Sequence, residues 1–424
     1  MTPLVVGIDI GTSGARAVAM RRDFSIAGRS AVPLDRFGQN PRDPSTWWQA
    51  VQAALVQLLS DIDRAAIRAI AVDGTSGTLL PVDIDGRPLI EPLMYNDKVD
   101  DADILAAVAR EAPEASAAHG ATSGLAKALR FQHLPGIAGV LHQADWIAGH
   151  LSGHFDVSDE NNALKTGYDV EARRWPDWIA ATGMRTDLLP RVVEPGDVTG
   201  TLTATAAALF GLPRDVVVVA GTTDGCASFL ATGAAAAGDG VTALGSSLTI
   251  KILSDRPISA PRFGIYSHRL GDVWLAGGAS NSGGKVLARH FALPRIVELS
   301  AAIDPTTETG LDYYPLAAPG ERFPIADPAL PPRLTPRPAD DADFLKAMFE
   351  GMAAIEALGY GRLAELGAPV LTCVRSVGGG AANPVWSAIR QRKLGVALAP
   401  ALSDEAAAGT ARLALKGASK AGLP

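Results

Sequence analysis

Apolar positions along the chain switch between strand-like runs and helical spacing, and the switches fall at glycine-rich turns. Leu4 to Ile10 is a strand-length apolar run, broken by "GTSG" and resumed in "ARAVAM", which predicts a β-hairpin. A third strand is expected in the segment following "SIAGRSAVP". "PSTWWQAVQAALVQLLSDI" predicts a helix with Ser45 as its N-cap and Trp48, Val51, Leu55 and Leu58 on one face. "IRAIAVDG" then reads as a buried strand ending in a second "GTSG", and "SGLAKAL" as a helix. In the second half, "RDVVVVAGTTDGCASFL" reads as strand, turn and helix, and "GDGVTALGSSLTIKIL" as strand, turn and strand. The pairing of "VVGIDIGTSGARAV" with "GVTALGSSLTIKIL" suggests a duplicated domain, each half presenting a glycine-rich hairpin turn to a shared cleft.

The proline-rich segment from Tyr314 to Asp340 reads as an ordered loop over the second domain, or alternatively as a flexible linker. After it, "DDADFLKAMFEGMAAIEALGYGRLAEL" predicts a long amphipathic helix interrupted at Gly359 or Gly361. "PVLTCVRSVGGGAANPVWSAIRQRKLG" gives strand, glycine turn and a helix opened by Asn383-Pro384. "SDEAAAGTARLALKG" is a terminal helix capped by Ser403 or Asp404.

A chain of 424 residues exceeds one ordinary core, and roughly 150 residues per domain points to two large domains or three small ones, with two as the working number. Hydrophobic residues make up 47% and charged ones 20%, enough apolar material for sizeable cores. A net charge of -7, with no basic run or stripe, argues against a nucleic-acid partner. Cys226 and Cys373 are too few for a disulfide scaffold and lack zinc spacing, so both read as reduced, small packing residues. No basic leader, cleavage site or membrane-length apolar run is visible, which predicts a soluble, cytoplasmic protein. The histidines show no metal-ligand spacing. Cys226 has no evident histidine partner and is expected to pack, not to attack.

Backbone N–H groups in glycine-rich turns can cradle phosphate oxygens. "GTSG" at 11 to 14 lacks the lysine and spacing of a Walker loop and the third glycine of a dinucleotide fingerprint, so alone it reads equally as an ordinary hairpin turn. Asp9 changes the picture. It stands two residues before Gly11, where a carboxylate could hold a magnesium shell beside phosphates bound by Thr12 and Ser13. Asp224 follows Gly-Thr-Thr where a helix begins and reads either as a plain N-cap or as a proton acceptor. The two roles are compatible, because a helix N-terminus stabilises the ionised carboxylate.

Taken together and in order, "GIDIGTSGARAV", "GTTDG", "VTALGSSLTI", "GGASNSGG", "GERFPIADP" and "GGGAANPVW" resemble the FGGY carbohydrate kinases of the actin-like ATPase superfamily. "VDGTSGTLL", "MYND", "QADWIAGHLSG", "NALKTGYD", "FGIYSHRLGD" and "GLDYYPLAAPGERFPIADP" look most like the short, xylulokinase-like D-ribulose kinases of cyanobacteria and plants. The resemblance covers nearly the whole chain. It implies an α/β fold of two actin-like (ribonuclease H-like) domains around a central cleft, each a mixed sheet flanked by helices. The N-terminal, sugar-binding domain would comprise 1–231 with 405–424, and the C-terminal, ATP-binding domain 232–404.

Carried over by motif, the resemblance places Asp9 toward the γ-phosphate and magnesium, with Gly11, Thr12 and Ser13 at phosphate, and makes Asp224 the base and a second, water-mediated metal contact. Gly245 and Ser246 would approach the phosphates, and Gly379, Gly380, Asn383 and Trp386 would line the adenine pocket. Ser76 would contact the sugar, with Asp73 or Asn96, and Lys127 or Lys165 could reach it as well. One departure stands out: Tyr95-Asn96-Asp97-Lys98-Val99 replaces the W-x-D-x-R sugar motif of longer members. The implied reaction is ATP- and Mg2+-dependent phosphorylation of D-ribulose at its 5-hydroxyl by a monomer or small homo-oligomer. D-Xylulose or another pentulose or polyol is the alternative substrate, and a non-kinase actin-like ATPase the alternative of another class.

Overall fold

The computed structural model describes residues 2–423, which fall into two compact units. Unit 1 contains Met1–Ala231, His268–Gly271 and Glu405–Pro424; unit 2 contains Thr232–Ser267 and Asp272–Asp404.

Unit 1 is built on β1 (Leu4–Ile10), β2 (Gly14–Met20), β3 (Ile26–Pro33), β4 (Ile67–Gly74), β5 (Val198–Thr201) and β6 (Val217–Thr223), in the order β3-β2-β1-β4-β6-β5. The first three strands form an antiparallel meander, while β4 is parallel to both β1 and β6. Every residue of β1 is buried, as expected of a strand covered on both faces. On one face Val6, Ile8 and Ile10 meet Trp47, Val51, Leu55 and Leu58 of helix α1 (Pro44–Ser60). Each such side chain contributes about 1.5–3 kcal/mol by leaving water. Helices α2 (Gly124–Phe131) and α3 (Gln143–Ser152) follow β4, and α4 (Asp224–Ala231) starts directly at the end of β6.

On the other face Val5, Val18, Ala69, Ala71, Val217 and Val219 pack with Ala407, Ala411 and Ala414 of the C-terminal helix, Ala406–Lys420. The approach is close enough to need glycine. A Cβ on Gly7 would lie 2.1 Å from the Ala407 carbonyl oxygen, and one on Gly409 would lie 1.8 Å from that of Ala227 in α4.

Unit 2 repeats the plan. Its strands β7 (Asp239–Leu244), β8 (Leu248–Ser254), β9 (Val273–Ser280), β10 (Cys373–Val377) and β11 (Ala397–Ala399) run β9-β8-β7-β10-β11. The meander is again antiparallel, with β10 parallel to β7 and to β11. Phe344, Met348, Phe349, Met352 and Ile355 of α5 (Asp341–Glu365) enter its core. A buried ion pair joins Glu356 of α5 to Arg390 of α6 (Pro384–Leu394) at 2.6 and 2.7 Å. Thr242 donates to the same carboxylate at 2.6 Å, so neither charge is left unsatisfied.

Several local expectations are corrected. The third strand is the "IAGRSAVP" segment itself, a half-buried strand at the edge of the sheet. Asp43, not Ser45, caps α1: its side chain accepts the Ser45 N–H at 2.8 Å, with Pro44 as the first helical residue. Trp47 takes the fully buried place expected of Trp48, because it stands one helical turn before Val51. Helix α5 runs unbroken through Gly359 and Gly361. Gly359 serves close packing, since a Cβ there would meet Ile250 Cδ1 at 2.6 Å. The C-terminal helix begins after Glu405 without a side-chain cap from Ser403 or Asp404. The Tyr314–Asp340 segment is an ordered loop, with Tyr314 paired to Arg333, Glu321 to Asp327, and Phe323 fully buried.

Substituting Gly409→Ala should destabilise the protein by about 3 kcal/mol or more, because the C-terminal helix must move off α4. Gly361→Ala, an exposed position of α5 where a Cβ meets no heavy atom within 4 Å, should instead stabilise it by up to about 1 kcal/mol. Urea unfolding of the two variants beside the parent checks both signs.

Candidate active site

Three carboxylates gather at the carboxyl ends of neighbouring strands in unit 1, the end at which ligands bind in α/β sheets. Asp9 of β1 is in register with Asp73 of β4, Asp73 is in register with Thr222 of β6, and Asp224 opens α4 just beyond. Asp73 is fully buried. Burial pushes its carboxyl well above the usual carboxylate range, and the negative charges of Asp9 and then Asp224 push it further. The Thr410 hydroxyl of the C-terminal helix donates to Asp73 and opposes that shift. Asp9, 5% exposed, accepts from Arg16 Nη1 at 3.0 Å, since the hairpin register sets Arg16 directly opposite. Asp224 is half-buried and accepts the Gly225 N–H at 2.7 Å.

The turn beside Asp9 leaves Thr12 and Ser13 exposed and is closed by the Gly11 N–H donating to the Gly14 carbonyl at 3.0 Å. Only glycine fits at 14, where a Cβ would lie 2.7 Å from the Val32 carbonyl oxygen.

Ser76 occupies the turn after β4, and its Oγ is buried without a hydrogen-bond partner. The turn is pinned from below. Gln143 Oε1, at the start of α3, accepts from the Thr75 N–H at 3.0 Å and the Thr75 hydroxyl at 2.6 Å. Lys127 of α2 donates to the carbonyls of Gly77 at 2.8 Å and Met94 at 2.7 Å. Asn96 is exposed on the loop that begins at Met94. Within that loop Asp97 accepts both Arg42 guanidinium nitrogens at 2.6 and 2.8 Å and the Met94 N–H at 2.7 Å. Arg42 thus brings a guanidinium to a motif whose own sequence has Val99 in place of arginine.

In unit 2 three glycine turns converge. Gly245 and Ser246 are exposed between β7 and β8, and their carbonyls accept the N–H groups of Gly284 at 2.8 Å and Lys285 at 3.1 Å. Gly378, at φ +85°, brings the third turn against Leu244, whose carbonyl oxygen would be 2.9 Å from a Cβ. Glu321 of "GERFPIADP" fixes the second turn by accepting from Ser280 Oγ at 2.5 Å and the Asn281 N–H at 2.7 Å. Gly379 is exposed, while Gly380 lies on the Trp386 ring, which would be 2.5 Å from a Cβ. Trp386 is 2% exposed and stacks on Phe349 at 5.1 Å, so it underlies the turn. Asn383 caps α6 through the Trp386 N–H at 3.0 Å and donates to Ser300 Oγ at 2.9 Å.

Arg16, Arg42, Gln143 and Thr410 escaped the sequence reading. Strand alternation in "DIGTSGAR" could have found Arg16, because a tight hairpin sets it opposite Asp9. The others are joined to the site only by long-range packing. Among the described residues no group of three or more His, Cys, Asp or Glu side chains could hold a metal ion, and no helix is long and apolar enough to cross a membrane.

Comparison with known proteins agrees with this layout. The N-terminal domain of the FGGY family of carbohydrate kinases matches residues 4–103 and 132–231, and the C-terminal domain matches residues 240–418. The chain is 26% identical to the xylulose kinase of Escherichia coli over 347 residues, covering 77% of this chain and 71% of that one. It is 27% identical to the autoinducer-2 kinase of Yersinia pseudotuberculosis over 457 residues, covering 95% and 84%. The crystal structure of xylulose kinase from Rhodospirillum rubrum superposes with a TM-score of 0.82 at 25% identity, covering 98% of this chain and 90% of that one. With both family domains matched in order and a fold of two actin-like units, the chain belongs to the FGGY family of carbohydrate kinases and is a sugar kinase.

Proposed function

We propose that the chain transfers the γ-phosphoryl group of ATP to the 5-hydroxyl of D-ribulose, giving D-ribulose 5-phosphate and ADP. The observation that carries this reading is the gathering of Asp9, Asp73 and Asp224 at adjacent strand ends beside an exposed Gly-Thr-Ser-Gly turn. A primary hydroxyl is a weak nucleophile, and phosphoryl transfer depends on positioning and on neutralising the transferred charge. In this reading Asp224 accepts the proton of the 5-hydroxyl. It stands at a helix N-terminus, where the dipole and the Gly225 N–H stabilise negative charge. Asp73, fully buried and bonded to Thr410, supports the other two carboxylates from behind and does not touch the sugar.

Ser76 and Asn96 bind sugar hydroxyls in this assignment. The unpartnered Ser76 Oγ supports its part, because a buried hydroxyl gains from a partner. Gly11, Thr12 and Ser13 face phosphate, and in unit 2 Gly245, Ser246, Gly379 and Gly380 approach the nucleotide. Asn383 fixes the start of α6 and Trp386 is the packed floor beneath Gly380. An oxygen-donor site with concentrated negative charge fits Mg2+, which keeps most of its waters and takes one or two carboxylates. Asp9 and Asp224 would hold it through water, and when bound it supplies neutralisation of phosphate charge.

The choice of D-ribulose rests on the "VDGTSGTLL", "MYND" and "NALKTGYD" motifs. A second reading keeps the reaction and takes D-xylulose or another pentulose, and the xylulose kinases among the relatives favour it. Ketose epimers differ in the orientation of one hydroxyl, so a few hydrogen bonds decide between them.

ADP release measured over D-ribulose, D-xylulose, other free pentuloses and polyols should give its highest kcat/KM with D-ribulose; turnover no higher than the sugar-free control would end that assignment. Asp224→Asn should lower kcat by roughly 10²- to 10⁴-fold while the protein stays folded, as loss of a general base requires. Near-parent kcat would remove Asp224 from the role.

Asp73 makes a pH prediction whose sign follows from linkage. Its folded pKa lies above the unfolded value, so its favourable share of stability is complete below the unfolded pKa and is lost as pH rises through the folded one. Asp73→Asn should therefore show a smaller fall in urea midpoint than the parent between pH 4 and pH 8. An equal or larger fall would contradict the charge crowding.

A further inference from the structure

Lys127 is buried completely, yet no carboxylate pairs with it among the described residues. Asp97, the acid whose charge acts on it, is bonded to Arg42 instead. Burial pushes the ammonium down to about 8, so holding the charge there is costly. A lysine kept in this place for packing alone is hard to account for, because leucine or methionine would fill the same volume without the desolvation penalty. What Lys127 does have is a pair of carbonyl acceptors on two different loops, Gly77 at 2.8 Å and Met94 at 2.7 Å, one on each side of the short strand Leu79–Val82.

Those loops carry Ser76 and Asn96. Gly77, next to Ser76, has φ +83°, and its carbonyl direction is set by that left-handed turn. Met94 begins the Met94–Asp97 turn, its carbonyl accepting the Asp97 N–H at 3.0 Å as well as the lysine. A second tie, the Tyr95 N–H to Thr78 Oγ1 at 3.1 Å, runs between the same two loops. Ser76 Oγ, on the residue before Gly77, is buried and without a partner.

We infer that Lys127 is a positioning residue for the sugar: its ammonium clamps the Ser76 turn to the Asn96 loop and so sets the spacing of the hydroxyl-binding groups, without touching the reacting atoms. The inference rests on the sugar-kinase reading above. Its chemistry is that of charge-assisted N–H···O bonds, stronger than those a neutral amine makes to the same carbonyls. Loosening the clamp therefore acts on the sugar half of the reaction and leaves the nucleotide half, which unit 2 supplies, as it was. The charged and titratable groups around the ammonium are Asp97 from the Met94–Asp97 loop, with its partner Arg42, and His142, which burial, Lys127 and Lys165 together hold down at about 3. His142 therefore stays neutral from pH 7 upward.

Steady-state kinetics of Lys127→Met and Lys127→Arg with the best sugar of the panel test this. Lys127→Met should raise the sugar KM by about tenfold or more and leave the ATP KM within about twofold, and Lys127→Arg, which retains a cationic donor, should recover part of the loss. An unchanged sugar KM, or equal rises in both KM values, would overturn the inference. Should Lys127→Met fail to fold, the parent protein decides: at saturating ATP its sugar KM should rise above about pH 8 while the ATP KM stays level, and a sugar KM flat from pH 7 to 9.5 would sink the idea. Turnover of the parent by any panel sugar reports on the kinase reading separately; inactivity with all of them overturns both.

Discussion

Unit 1 depends on the backbone-to-backbone contact that the C-terminal helix makes with β1 and α4. Gly7 and Gly409 allow it, and neither position has room for a Cβ. The contact brings the last residues of the chain against the first strand and lays Thr410 over Asp73. Alanines at 407, 411 and 414 extend the same close packing along the helix. Side chains of ordinary size there would separate the helices by the usual 8–10 Å and remove the hydroxyl from the carboxylate. The geometry of the acid cluster is therefore fixed by residues that carry no charge.

That cluster is costly to maintain. A buried carboxylate loses hydration, and neighbouring negative charges add repulsion, which is why the Asp73 carboxyl is pushed well above the usual carboxylate range. The surrounding groups offset the cost one acid at a time: Arg16 for Asp9, Thr410 for Asp73, the Gly225 N–H for Asp224. Asp73 still has an oxygen without a partner, so compensation is incomplete. Incomplete compensation at a strand-end cluster is the pattern of a functional site rather than of a stabilising core.

The two hairpins and the strong strands were legible because apolar runs and glycine turns act locally, and Asp9 and Asp224 stood out because a charge at a strand end has no packing role. Helix caps were less legible. Asp43 and Ser45 are both good caps, and Pro44 between them decides the matter only once its fixed φ is placed at the first helical position. Gly359 was misleading for a related reason, since a glycine that breaks a helix and one that admits a neighbour look alike in one dimension. Gln143 and Arg42 could not be read at all, and Lys127 was legible only as a lysine within reach of the sugar. Their meaning lies in the partners they reach, Thr75, the Gly77 and Met94 carbonyls, and Asp97, each dozens of positions away along the chain.

The repeated plan of the two units also shows where they differ. Alignment on the hairpin turns sets Gly11 against Gly245, and with it Asp9 against Ala243. The strand registers extend the match: Asp9 faces Asp73 across β1 and β4, whereas Ala243 faces Val377 across β7 and β10. The same backbone positions thus carry acids in unit 1 and uncharged residues in unit 2. In unit 1 such acids can accept a proton or hold a hydrated cation.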